Sequence, residues 1–278
     1  MGSRTARSGR AEGLPYSLSR WTDLPAAKWP WFEAQLKQGW MVGFDPRTAV
    51  PSKWSLDPED VLGLVFWTRQ PNNLIEHAEL LKAYPLVVHM TATGWHEVEI
   101  GAPSINGAIG SMWRLIEAFG VDSVEWRFSP IPAVKDVVTR FEVLASNYAK
   151  MGLKRVYVAF LQDNDLMPER RSREEREAIL REMAERSHGL EIVICQDDLG
   201  FGLGLLRTPN LRYGVCENAR RFTQGRGDLT FDDCGCALTV DPFNLNEACT
   251  MGCTYCYAAD KRLAPDKRDT TKDLPVTR

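Results

Sequence analysis

Short apolar runs of strand length alternate with stretches of helical periodicity through most of this chain, and that alternation constrains the fold more than any other feature. After a strand-like start at 16–19, a short helix is expected over 31–38, with Gly39 as its C-terminal stop. Residues 40–44 read as a strand broken by Asp45 and Pro46. Strands are then expected at 61–67, 86–90, 123–128, 155–161 and 191–195. The intervening helices are expected at 74–83, 106–119, 134–150 and 172–187, where Ser172 and Glu175 have capping-box spacing. Further short strands are expected at 211–215 and 237–240. Repeated β-then-α units predict an α/β fold with a parallel sheet and helices outside, and this many units favour a closed or nearly closed (β/α) barrel. An open doubly wound sheet is the alternative. No Gly-rich phosphate fingerprint follows the first strand, and 200–204 lacks the required spacing.

The 278 residues fit one barrel, and 44% hydrophobic content supports a substantial core. Residues 1–13 are basic and rich in Gly, Ser and Arg, which predicts disorder, and 259–278 form a polar tail with Lys and Arg able to touch a phosphate backbone. The barrel is therefore expected over 14–258. No apolar run approaches the roughly 20 residues that span a bilayer. The N-terminus lacks a signal-peptide centre, so a cytoplasmic location is expected, with no membrane partner. A net charge of −3 gives no general attraction to nucleic acid.

Seven cysteines without a secretion signal point to reduced thiols or metal ligands. Three stand at C-x-x-x-C-x-x-C spacing as Cys249, Cys253 and Cys256, with Tyr255 directly before the third. Thiolates from one short run often hold iron–sulfur clusters, and three on a four-iron cluster leave one iron for a small molecule. Zinc is the rival, although zinc sites usually pair C-x-x-C with a second such pair. Plain structural cysteines are the third reading.

The spacing and Tyr255 resemble the signature of the radical SAM superfamily. The resemblance implies a [4Fe–4S] cluster whose open iron binds S-adenosyl-L-methionine. It also implies reductive cleavage of that cofactor, hydrogen abstraction by a 5′-deoxyadenosyl radical, and a flavodoxin- or ferredoxin-like electron donor. In most members the cysteine loop follows the first barrel strand, whereas here it follows the last expected one. A circular shift of the barrel accommodates that order. Asp241-Pro242-Phe243-Asn244 resembles the strand end before the cluster loop in spore photoproduct lyase-like members, which makes nucleic-acid repair an alternative function. Several stretches resemble one bacterial domain-of-unknown-function family: 19–25, 66–71, 126–131, Cys234-Gly235-Cys236 and Cys256-Tyr257-Ala258. They span about Tyr16 to Ala258, departing from the family pattern at Trp21 and in the segment before Cys249, and they bring no established reaction.

Reactive groups of barrel enzymes lie at the C-terminal strand ends. Those ends present Arg20, Asp23, Asp45, Thr68, Arg69, His89, Thr91, Arg127, Gln162, Gln196 and Asp197. Arg127 is a candidate clamp for the carboxylate of S-adenosylmethionine, or pairs with a neighbouring carboxylate. Asp23, Asp45 and Asp197 are candidates for ribose hydroxyls or for helix caps. Thr68 and Arg69 resemble a strand-end Thr-Lys pair of the lyase-like members. His89 ends an apolar strand and is placed to face the barrel interior. The four remaining cysteines, Cys195, Cys216, Cys234 and Cys236, match the number a second iron–sulfur cluster or a structural zinc needs, and Cys195 alone reads equally as a buried small hydrophobe. A non-catalytic iron–sulfur or zinc sensor is the rival from another class.

Overall fold

Strand residues of this chain divide by parity between two environments, and that division builds the fold. The computed structural model describes residues 15–18, 22–44, 51–162, 166–168, 170–195, 205–215, 222 and 249–256. In chain order the elements are β1 (Tyr16–Leu18), α1 (Leu24–Ala27), α2 (Trp29–Gln38), β2 (Trp40–Phe44), β3 (Pro51–Ser55) and β4 (Leu64–Thr68). Then come α3 (Asn72–Glu76), α4 (Ala78–Leu81), β5 (Leu86–Thr91), α5 (Ile105–Phe119), β6 (Val124–Ile131) and α6 (Val137–Lys150). The last are β7 (Arg155–Phe160), α7 (Arg173–Glu185), β8 (Glu191–Cys195) and β9 (Leu211–Gly214). Among the described residues no helix is long and apolar enough to cross a membrane.

Seven strands form one parallel sheet in the order β1-β4-β5-β6-β7-β8-β9. The outer face carries Phe66, Val88, Trp126, Phe128, Val156, Val158 and Ile192, all in one core cluster with helix residues such as Met112, Leu115, Phe141, Leu144, Leu180 and Met183. Full burial of each such side chain stabilises the fold by roughly 1.5–3 kcal/mol. Trp126 is the hub: it stacks on Phe141 with centroids 5.5 Å apart, meets Tyr148 edge-on at 4.8 Å, and donates its indole N–H to Ala92 O at 2.9 Å. The opposite, inner face holds a separate cluster of Trp67, Tyr157 and Val193. Both faces are thus covered, as parallel sheets require.

Local signals set the helix limits. Ser104 caps α5 by accepting the Gly107 N–H, and Ser172 with Glu175 completes the expected capping box on α7. α2 ends on Gly39 with φ +77, the left-handed conformation that glycine adopts at least cost. The helix expected over 74–83 is two short helices that meet at His77.

One strand assignment is corrected. β2 does not join the parallel sheet; it pairs antiparallel with β3 in a separate two-stranded ribbon. The connection across 45–50 is too short for a parallel crossover, which takes about a dozen residues or more, so the chain turns back as a hairpin. Asp45 therefore follows a ribbon strand instead of a barrel strand, and Asp45 itself lies outside the described residues. Residues 1–13, the strand expected at 237–240, Asp241–Asn244 and the tail 259–278 also lie outside them.

Candidate functional site

The loop 249–256 docks on the segment that leaves the C-terminal end of β5. Glu99 and Cys253 form an antiparallel bridge, the Gly101 N–H donates to Met251 O at 2.8 Å, and the Thr254 N–H donates to Val98 O at 2.9 Å. Gly101 makes this approach possible: a Cβ there would stand 2.3 Å from the Thr250 carbonyl oxygen and 2.9 Å from Met251 Cα. Gln70, two residues past β4, donates to Gly101 O at 2.7 Å and ties the same segment to the neighbouring strand end. The cysteine loop thus lies at the strand-end side of β4 and β5.

Beneath it lies a buried polar knot. Arg69 Nη1 donates to Glu99 Oε2 at 2.7 Å and to Thr93 Oγ1 at 3.3 Å, and Nη2 donates to the Tyr255 hydroxyl at 2.9 Å. Thr93 donates to Glu99 Oε2 at 2.6 Å, and the Tyr255 hydroxyl donates to Glu99 Oε1 in a short hydrogen bond. Glu99 is 1% exposed, so its charge is tolerated only because Arg69 and two hydroxyls meet it. Burial works against the Arg69 charge, but Glu99, Tyr255, Cys253 and Asp23 outweigh it and hold the guanidinium firmly protonated. Burial raises the Tyr255 pKa far above its usual range against the pull of Arg69, which keeps the hydroxyl a donor.

Asp23 ties the knot to the N-terminal part of the chain. Its carboxylate accepts the Thr68 hydroxyl at 2.7 Å, the Arg69 backbone N–H at 2.7 Å and the Ala26 N–H at 3.3 Å, the last as the cap of α1. Burial nevertheless raises its pKa above the usual carboxylate value.

The three cysteines of the loop form no disulfide with the described residues, Cys253 buried and Cys249 and Cys256 half-buried. Burial raises the Cys249 thiol pKa, while the backbone N–H groups of Asp23 and Met251 donate to its sulfur and lower it. Burial pushes Cys253 up to about 11, opposed by the Arg69 guanidinium, with Glu99, Cys256 and Cys249 adding to the rise. The thiols therefore lie within electrostatic reach of one another, and backbone N–H donors aimed at sulfur are what a thiolate ligand requires. Three thiols are the donor type an iron–sulfur cluster takes. Among the described residues, however, no group of three or more His, Cys, Asp or Glu is gathered closely enough to hold a metal ion.

The other expected site residues separate into two groups. Thr68 is spent on Asp23, and Tyr255 on Glu99 and Arg69, so both position the loop. Arg127, with His89, lies on the inner face, its guanidinium 4.9 Å from the Trp67 ring centroid. Its charge acts on His89, while Arg69 is the cation that acts on Cys253. Cys195 ends β8 and is buried, whereas Cys216, Cys234, Cys236, Arg20, Gln196 and Asp197 lie outside the described residues. Thr93 and Glu99 are central to the site, yet sequence reasoning passes over them. The available signal was an acidic residue just past an apolar strand and its Thr-Ala-Thr-Gly turn.

A family model for a domain of unknown function, DUF1848, matches residues 16–258, from the first residue of β1 through the cysteine loop. The chain belongs to the DUF1848 family. The match runs from β1 through the Cys256-Tyr257-Ala258 motif, so the family unit includes both the sheet and the cysteines docked on it. No curated protein matches the chain. Among solved structures, a candidate phosphonomutase from Burkholderia cenocepacia J2315 is similar over 66% of this chain and 81% of its own, at 15% identity and a TM-score of 0.33.

Proposed function

We propose that this DUF1848 chain is a radical S-adenosylmethionine enzyme in which Cys249, Cys253 and Cys256 hold a [4Fe–4S] cluster. When bound, that cluster supplies the electron that cleaves S-adenosylmethionine reductively. The observation that carries the reading is the docking of the cysteine loop beside the C-terminal ends of β4 and β5. Functional groups of parallel α/β folds gather at those ends, so three thiols delivered there from a distant part of the chain have a chemical use beyond packing. The reading also takes the parallel sheet as part of a (β/α) barrel, with the cysteine loop circularly shifted to the C-terminal end.

Within this reading the protein groups have separate tasks. The Asp23 and Met251 N–H groups stabilise negative charge on the Cys249 sulfur. Arg69 offsets charge at Cys253 and, through Tyr255 and Glu99, fixes the loop. Because burial holds the Cys249 and Cys253 thiols protonated, metal loading releases protons and is favoured as pH rises.

Anaerobic reconstitution with iron and sulfide tests the reading through iron content and cluster absorbance. A fall in both is expected in the Cys249/Cys253/Cys256 triple alanine variant; a variant that keeps the full iron content of the natural chain refutes it. A second reading is a non-catalytic iron–sulfur or zinc sensor built on the same cysteines. Cleavage of S-adenosylmethionine by the reconstituted, reduced protein separates the two.

A further inference from the structure

Trp67, His89, Arg127 and Tyr157 come from four neighbouring strands, β4 to β7, and share the inner face of the sheet. The His89 ring stacks on Trp67 with centroids 4.3 Å apart and planes 16° apart, and the Tyr157 ring lies 5.8 Å away. Arg127 reaches over the same indole at 4.9 Å. His89 is fully buried, and neither Nδ1 nor Nε2 has a hydrogen-bond partner among the described residues. Native proteins rarely leave buried polar atoms unpaired, since each costs about 1–3 kcal/mol. Two such atoms on one ring mark a place where a polar ligand group belongs.

The neighbouring charges define that group. Burial, then Arg127, holds the imidazole neutral, so one ring nitrogen is a donor and the other an acceptor. An N–H donor beside a guanidinium over an aromatic floor suits an oxygen anion. The other charges on this face are Glu125, in register with His89, Arg155 on the adjacent β7, and Glu191, which accepts from Arg212 at 2.6 Å. Among the described residues of these strands, Arg127, Arg155 and Arg212 stand against Glu125 and Glu191 on this face.

We propose that His89 and Arg127 form an oxyanion-binding subsite that takes the carboxylate or phosphate group of a small molecule. The subsite does not depend on the cysteine loop and stands whether or not that loop holds a cluster. The anion comes either from a substrate or from the carboxylate of S-adenosylmethionine, and one titration distinguishes the two.

The full chain is labelled with ¹⁵N-histidine, and one of its four imidazoles is assigned to His89 by its loss in His89→Gln. Inorganic phosphate and acetate are then titrated separately. The His89 signals move saturably with at least one anion, and the affinity falls roughly tenfold or more in Arg127→Leu, as expected for a charge-assisted hydrogen bond. Arg127→Lys retains part of that affinity, because charge survives while the planar fork is lost. The cysteine triple variant titrates like the natural chain, which separates this result from the fate of the cluster. Added S-adenosylmethionine that displaces the anion identifies the cofactor's carboxylate as the source; simultaneous binding identifies a substrate's acidic group. His89 signals that ignore both anions, or that respond equally in Arg127→Leu, overturn the proposal.

Discussion

The Tyr255 hydroxyl accepts from Arg69 Nη2 at 2.9 Å across a separation of 186 residues. This contact joins the cysteine loop to the end of β4, and Glu99 closes the triangle from the segment after β5. A loop whose buried hydroxyl serves both members of an ion pair has few alternative positions, because any shift leaves that hydroxyl and its partners short of a hydrogen bond.

Glu99 is therefore expected to be a stability determinant as well as a positioning residue. Glu99→Ala leaves the Arg69 guanidinium buried without its carboxylate and should destabilise the chain by about 3–5 kcal/mol. Glu99→Gln keeps the shape and one acceptor and should cost less. Urea unfolding of both variants measures the difference, and equal losses would show that the charge of Glu99 is immaterial.

Gly101 offers a way to unseat the loop without altering a thiol. A methyl group at Gly101→Ala meets the Thr250 carbonyl at 2.3 Å, so the backbone of 249–256 must move. Faster labelling of Cys253 by a thiol reagent is expected, with lower iron uptake on reconstitution. The sheet, which makes no use of Gly101, should retain its secondary-structure signal by circular dichroism. Labelling unchanged from the natural chain would show that the docked position is not the one in solution.

His89 gives a pH dependence of defined sign. Its folded pKa lies well below the unfolded value of about 6.5, first through burial and then through Arg127. The unfolded chain thus takes up the proton first as pH falls. The stability tied to neutral His89 is fully present above about pH 6.5 and is lost below it, at up to about 1.4 kcal/mol per pH unit. Asp23 acts in the opposite direction at more acid pH, because burial raises its folded pKa. Denaturation of the natural chain and His89→Gln between pH 7 and 5 isolates the imidazole: the variant should show the flatter profile.

Trp126→Ala removes the centre of the outer core, with loss of the Phe141 stack and of the hydrogen bond to Ala92 O. A destabilisation of about 3–5 kcal/mol is expected. Ser172→Ala, which deletes only the α7 cap, should cost about 1 kcal/mol. Thermal unfolding that ranked these two in the reverse order would contradict the assigned core.

Much of the fold was legible because its signals are local. The strands β4, β5, β7 and β8 follow apolar runs whose burial needs no knowledge of partners, and the Ser172–Glu175 capping box and the Gly39 stop are written in residues a few positions apart. The ribbon of β2 and β3 was not legible. The run 40–44 has the composition of a sheet strand, and only the short connection to β3 decides that it pairs backwards. The cysteine spacing, likewise, singled out the loop from the sequence alone. What that loop rests on was decided by tertiary structure. Thr68, which resembles half of a strand-end pair in sequence, donates to Asp23, while Glu99 carries no motif and becomes the anchor. The reason is physical: a buried charge takes its meaning from its partners, and Arg69, Glu99 and Tyr255 meet only because the parallel sheet brings together the ends of β4 and β5 and the distant loop.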